Sequence, residues 1–169
     1  GTGRAGYDYA PDDLGTDGLR LPEGDAGASA GPVALLMHGM PTWSFLNRHI
    51  IKRLTAAGWR CIAADHFGFG RSDKPVDDGW YSIARHTAAH RTLIETLNLT
   101  DVTLFVQDWG GPIGLAQAVA MPDRFARLVV MNTHSAWRAA NSRCQAPVCR
   151  TNPDRRFWAR ALSAASNAT

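Results

Sequence analysis

Five consecutive residues, Asp108-Trp109-Gly110-Gly111-Pro112, combine a carboxylate, an indole and a turn. They follow Val102 to Val106, an apolar, β-branched run whose length suits a buried parallel strand. Gly110, Gly111 and Gly114 leave room for close backbone approach, and Pro112 suits the first turn of a helix. Asp108 therefore falls at the tip of a strand-to-helix turn, where a nucleophile elbow presents its reactive group. A carboxylate nucleophile attacks an alkyl or otherwise activated carbon and forms an ester. The Trp109 indole N–H is a donor only, and can hold a leaving anion. The backbone N–H groups of Trp109 and of Met40, in the turn His38-Gly39-Met40-Pro41, would form an oxyanion hole. That hole would serve a second step, when water attacks the ester and its carbonyl oxygen becomes negative. Each group also has a plainer explanation: Asp108 as a helix N-cap, Trp109 as packing, His38-Gly39 as a turn.

Positioning these residues needs a sheet. Pro32 to Met37 and Arg60 to Asp65 read as buried strands, Asp101 to Gln107 leads to Asp108, and Ala126 to Met131 is a fourth strand. Between them, Leu46, Ile50, Leu54 and Ala57 recur at helical spacing, with Thr42 available as a cap. Trp80 to Leu99 is a second helix with Ile83, Thr87, His90, Ile94 and Leu97 on one face. Gly111 to Met121 is a third, stopped by Pro122. Alternating strands and helices predict a parallel sheet with right-handed crossovers. Functional groups then gather beyond the strands' C-terminal ends: His38-Gly39-Met40, Asp65-His66, Gln107-Asp108-Trp109 and Asn132-Thr133. Near the N-terminus, Asp17-Gly18 is a hairpin signal, but Pro22 and Gly24 interrupt the second arm, so a weak edge hairpin is expected.

The chain has 169 residues, 45% of them hydrophobic, enough for one domain with a core. From Arg124 onward there are eight Arg against one acid, Asp154. This basic tail lacks the interleaved aromatics of a nucleic-acid surface, so no nucleic acid is expected as partner. Cys61, Cys144 and Cys149 are odd in number and match no zinc spacing, which fits a reducing compartment. No signal peptide opens the chain and no apolar run reaches the length of a membrane span. A cytoplasmic protein without membrane association is expected. Gly1 at the first position suggests that the true start is missing. His86 and His90 fall at i, i+4, but no third ligand is suggested and no metal is expected.

Several stretches together resemble the haloalkane dehalogenases of the α/β-hydrolase fold. They are His38-Gly-Met-Pro-Thr-Trp-Ser-Phe-Leu46, Asp65-His-Phe-Gly-Phe-Gly-Arg-Ser-Asp-Lys-Pro75, Val106-Gln-Asp-Trp-Gly-Gly-Pro-Ile-Gly-Leu115 and Pro122 to Thr133. The resemblance covers roughly residues 7 to 134. It implies an α/β-hydrolase-like core with an incomplete, mostly parallel sheet and flanking helices in three αβα layers. Asp108 would displace halide from a haloalkane while Trp109 binds it, and a His-activated water would hydrolyse the alkyl ester. The partners would be haloalkane, halide ion and water, the chain a monomer, and no cofactor would be needed. His38, Gly39 and Pro41 would edge the substrate pocket.

The sequence departs from the family at three points. Met40 stands where many relatives carry a halide-binding Asn, so a cap Trp would take that role, with Trp137 and Trp158 as candidates and Trp158 at the better distance. Asn132 stands where one subgroup keeps its catalytic acid, so the acid would be a later Asp. The family's catalytic His and acid fall beyond residue 169, and His134 does not match the base. Residues 1–134 are thus expected to form the N-terminal part of the core, and 135–169 a divergent cap start or a non-native tail, with a possible helix from Asp154 to Ala165. A frameshift would explain the Arg/Ala composition of that tail. An open sheet edge and marginal stability are expected. An epoxide hydrolase is the alternative activity, and a non-catalytic fragment the alternative class. The former would need cap tyrosines, whereas only Tyr7, Tyr9 and Tyr81 are present.

Overall fold

The computed structural model describes residues 11–16, 19–133 and 148–151. Its strands are β1 (Pro11–Thr16), β2 (Leu19–Gly27), β3 (Val33–Met37), β4 (Arg60–Ala64), β5 (Val102–Gln107), β6 (Phe125–Met131) and β7 (Val148–Thr151). Its α-helices are α1 (Arg48–Ala56), α2 (Ile83–Thr96) and α3 (Gly110–Ala120). The strands form one sheet in the order β1-β2-β4-β3-β5-β6-β7. The central four, β4-β3-β5-β6, are parallel, and β2 and β7 flank them antiparallel.

Strand alternation divides the core into two layers. Leu35 and Met37 of β3, Ile62 and Ala64 of β4, and Leu104 and Val106 of β5 face a cluster that contains Leu93 and Ile94 of α2 and Ile113 of α3. Ala34 and Leu36, with Cys61 and Ala63, face the other way onto Ile51 of α1. The result is helix on both faces of a mostly parallel sheet, as expected.

Three local expectations need correction. The N-terminal hairpin is fully formed, with β2 nine residues long and paired on both sides. Pro22 is tolerated because the ladder to β4 starts only at Glu23. The first helix begins as a 3₁₀ turn at Ser44–Asn47, and Thr42 does not cap it, its hydroxyl donating to Gly39 O instead. Leu46 and Ala57 are exposed, and Ile51 carries the burial of α1. Finally, the far edge of β6 is not open: Val148–Thr151, within the segment set apart as 135–169, pairs antiparallel with Val130–Arg127 and satisfies its backbone groups. The helix expected from Asp154 lies outside the described residues.

Candidate active site

Asp108 occupies the left-handed region at φ +51, between the end of β5 and the start of α3. An Asp tolerates this conformation better than most residues, because its short polar chain bonds locally. The turn is held from three sides. Asp108 N donates to Asn132 O at 3.2 Å, and Gly111 N donates to Asp108 O at 2.9 Å. The Thr133 hydroxyl also donates to Asp108 O. Crowding explains two glycines: a Cβ on Gly110 would meet Met37 O at 2.5 Å, and one on Gly39 would meet the Asp108 Cβ at 2.3 Å.

The carboxylate is not a helix cap. Trp109 is the N-cap of α3, and Asp108 Oδ1 instead accepts from Met40 N at 2.9 Å, across the sheet. That distance lies within the range of an oxyanion-hole donor. Sequence reading missed the support behind Met40. The carbonyl of the same peptide, Gly39 O, accepts from Thr42 N at 3.0 Å, the Thr42 hydroxyl at 2.8 Å and His38 Nδ1 at 3.0 Å.

An open, mostly apolar cleft lies beside the turn, with Met40, His66, Phe69, Tyr81, His86 and Trp109 in its lining. His38, Gly39 and Pro41 do not line it. The His38 ring is wholly buried, Gly39 is pressed against Asp108, and Pro41 is exposed after a cis peptide. Trp137, Trp158 and His134 lie outside the described residues.

Burial disfavours the charged form of the histidines in and behind the cleft. Desolvation lowers His38, against the opposing Gly39 hydrogen bond and the Asp65 charge. It drives His66 well below the usual value, helped by His38 and His90, and pushes His90 down to about 3. His86 is lowered by burial and then by His38. His90 Nε2 lies 2.7 Å from His66 Nδ1, so the i, i+4 pair with His86 is not how this ring is used. Among the described residues no group of His, Cys, Asp or Glu is arranged to hold a metal ion.

Asp65, at the end of β4, is the second carboxylate that matters. It is buried, and its two oxygens accept from Ser44 N at 2.8 Å and Arg71 N at 2.9 Å. It thus joins the glycine-rich loop to the segment that leaves Met40. Its place at a strand end was legible in the sequence; its partners, remote along the chain, were not.

This architecture, a mostly parallel sheet between helices with a strand-to-helix elbow at Asp108, is that of a hydrolase fold. The family profile of the alpha/beta hydrolase fold matches residues 32–147, and the chain belongs to that family. Within it, the chain is similar to a haloalkane dehalogenase of Mycolicibacterium paratuberculosis, 54% identical over 114 residues, which are 68% of this chain and 38% of that protein. It is also similar to the tetrameric haloalkane dehalogenase DpaA from Paraglaciecola agarilytica NO2, at 42% identity and a TM-score of 0.74, covering 77% of this chain and 45% of that one. A Vigna radiata epoxide hydrolase mutant shares the fold at 28% identity and a TM-score of 0.70, over 80% of this chain and 42% of that one. The chain spans less than half the length of these relatives.

Proposed function

We propose that this chain carries the nucleophilic half of a haloalkane dehalogenase, which cleaves carbon–halogen bonds to alcohol and halide through an aspartyl alkyl ester. One observation carries this: Asp108, held at φ +51 on the elbow, has one carboxylate oxygen on the Met40 N–H. Oδ1 is held there, leaving Oδ2 to attack the carbon bearing the halogen. The C–O bond forms as the C–X bond breaks, and the halide takes the electron pair. Trp109 lines the cleft and supplies the N–H toward that leaving anion. Water then attacks Asp108 Cγ. Oδ1 becomes the oxyanion under Met40 N–H, and collapse releases the alcohol and restores the carboxylate. A base must take the water's proton. The His38 ring is held by the main chain of His66 and Gly39, the His66 ring by His38 O and His90, and the His90 ring by His66, so none of the three is proposed for that role. Trp158 is proposed as the second halide donor, in place of a donor at Met40.

The relatives favour this reading over the epoxide alternative by identity. Tyr81 adds a local reason. It lines the cleft, but its hydroxyl donates to Pro75 O at 2.8 Å and is not aimed at a substrate oxygen. The buried free thiol of Cys61 fits a cytoplasmic location. Among the described residues no helix is long and apolar enough to cross a membrane. A monomer is proposed as the working state, to be checked by light scattering, since the Paraglaciecola relative is a tetramer. The deciding experiment is intact mass after incubation with a short bromoalkane, with bromide measured in parallel. An alkyl adduct on Asp108 with stoichiometric bromide supports the reading. A folded chain that reacts with a terminal epoxide and releases no bromide refutes it.

A further inference from the structure

We propose that the buried chain His90–His66–His38 is a positioning device that aims and polarises the Met40 N–H. The three rings come from three elements, His38 after β3, His66 after β4 and His90 within α2, and all are buried at 2% exposure or less. Their tautomers follow from the partners. The main-chain N–H of His66 donates to His38 Nε2 at 2.8 Å, so that nitrogen is bare and the His38 proton sits on Nδ1. From there it donates to Gly39 O at 3.0 Å. His66 Nε2 lies 2.8 Å from His38 O, which only accepts, so Nε2 carries the His66 proton. His66 Nδ1 is then bare and accepts from His90 Nε2–H at 2.7 Å. The chain ends at His90 Nδ1, which is buried and has no partner among the described residues. Left as a bare lone pair, it costs less than an orphaned N–H would.

The His38 ring ends on the peptide that matters, and the His90–His66 arm ends on the peptide before it. Gly39 C=O and Met40 N–H belong to one peptide unit. A donor on its oxygen fixes the plane and polarises the opposite N–H. The His66 bond to His38 O fixes the preceding plane in the same way. His90 touches neither substrate nor Asp108, yet it decides which His66 nitrogen is bare. That in turn keeps His66 Nε2 protonated toward His38 O.

The inference rests on the dehalogenase reading only for the meaning of the oxyanion step. Its primary test needs no substrate: hydrogen exchange of the Met40 amide in the full 169-residue chain. His90→Leu keeps volume and suits the apolar surroundings, whereas His90→Gln keeps a donor near the Nε2 position. His90→Leu and His66→Leu should speed Met40 exchange about tenfold or more, while Leu104 in β5 stays protected. His90→Gln should remain near the parent rate. If the chain forms its alkyl ester, hydroxylamine serves as a nucleophile that needs no base. Aminolysis should slow about 10- to 30-fold in His90→Leu with alkylation within about threefold, since only the former builds charge on Oδ1. Unchanged Met40 exchange in either folded Leu variant overturns the proposal. So does His90→Gln behaving like His90→Leu, or equal losses in alkylation and aminolysis. Absence of bromide release from every form refutes the dehalogenase reading but leaves the exchange result to decide this one.

Discussion

Gly39→Ala tests the site geometry most directly. A Cβ there would lie 2.3 Å from Asp108 Cβ, 2.5 Å from Oδ1 and 2.8 Å from Cγ. Ordinary contact begins near 3.4 Å, so one side must move by about 1 Å. The Asp108 turn is held by Asn132, Gly111 and Thr133, and Gly39 by the bonds at its carbonyl. Neither backbone yields easily, so the carboxylate swings away from the Met40 N–H. Loss of a hydrogen bond to a charged group costs about 1.5–3 kcal/mol. A displacement near 1 Å of a reacting group costs about 100-fold in rate. Alkylation by a short bromoalkane, followed by bromide release and intact mass, should therefore slow about 100-fold. Gly58→Ala is the control. Gly58 sits at φ +82, and a Cβ there would meet nothing within 4 Å, so alanine costs backbone strain of about 1–2 kcal/mol but touches no site residue. It should lower the melting temperature and leave alkylation within about twofold. If Gly39→Ala alkylates as fast as Gly58→Ala, Asp108 is not held as argued and the reasoning fails.

Other outcomes follow from the same contacts. Asp108→Asn keeps an oxygen for Met40 N–H and tolerates φ +51, so the chain should melt within a few degrees of the parent and form no adduct detectable by mass. Trp109→Phe removes the indole N–H but keeps an apolar ring, and bromide release should slow about 10- to 100-fold, the worth of one hydrogen bond to an anion. The histidine cluster makes stability pH-dependent. His90 is lowered from 6.5 to about 3, so the unfolded chain binds its proton first on acidification. Stability is full above about pH 6.5 and declines as pH falls toward 3. His90 alone should cost about 2 kcal/mol between pH 6.5 and 5 in chemical denaturation, and His90→Gln should flatten that slope. Arg60→Ala breaks a part-buried pair with Asp25, whose closest contact is 2.6 Å, and should cost about 1 kcal/mol in the same assay.

Much of this protein is legible in order along the chain. The run Val102–Gln107 ends in Asp108-Trp109-Gly110-Gly111, and a buried strand meeting small residues dictates a turn that lifts the side chain at its tip. The strand–helix alternation dictates parallel pairing, and with it the meeting of residues 38–40 and 108–109. These are local or periodic properties, so the amino-acid order suffices for them. The sequence understates the hairpin at β1 and β2 because Pro22 and Gly24 are poor strand residues. Tolerance of Pro22 depends on where the β4 ladder begins, which is not a property of β2, and Gly24 is held within that ladder opposite Ala63. Placement of β7 against β6 was unreadable for a related reason, since Val148–Thr151 is too short to carry a pattern of its own.

What only the tertiary structure decided lies in contacts between remote positions. His38, His66 and His90 are separated by tens of residues, and the sequence places them only as a turn residue, a strand-end residue and a residue on the apolar helix face. Packing of α2 against the sheet buries all three, strips their water and leaves one self-consistent set of protons. The same closure turns Asp65 into a brace for two loops and sets Met40 N–H on Asp108 Oδ1. Sequence specifies side-chain chemistry and local conformation. Which donor meets which acceptor, and in what dielectric, is settled when the layers close.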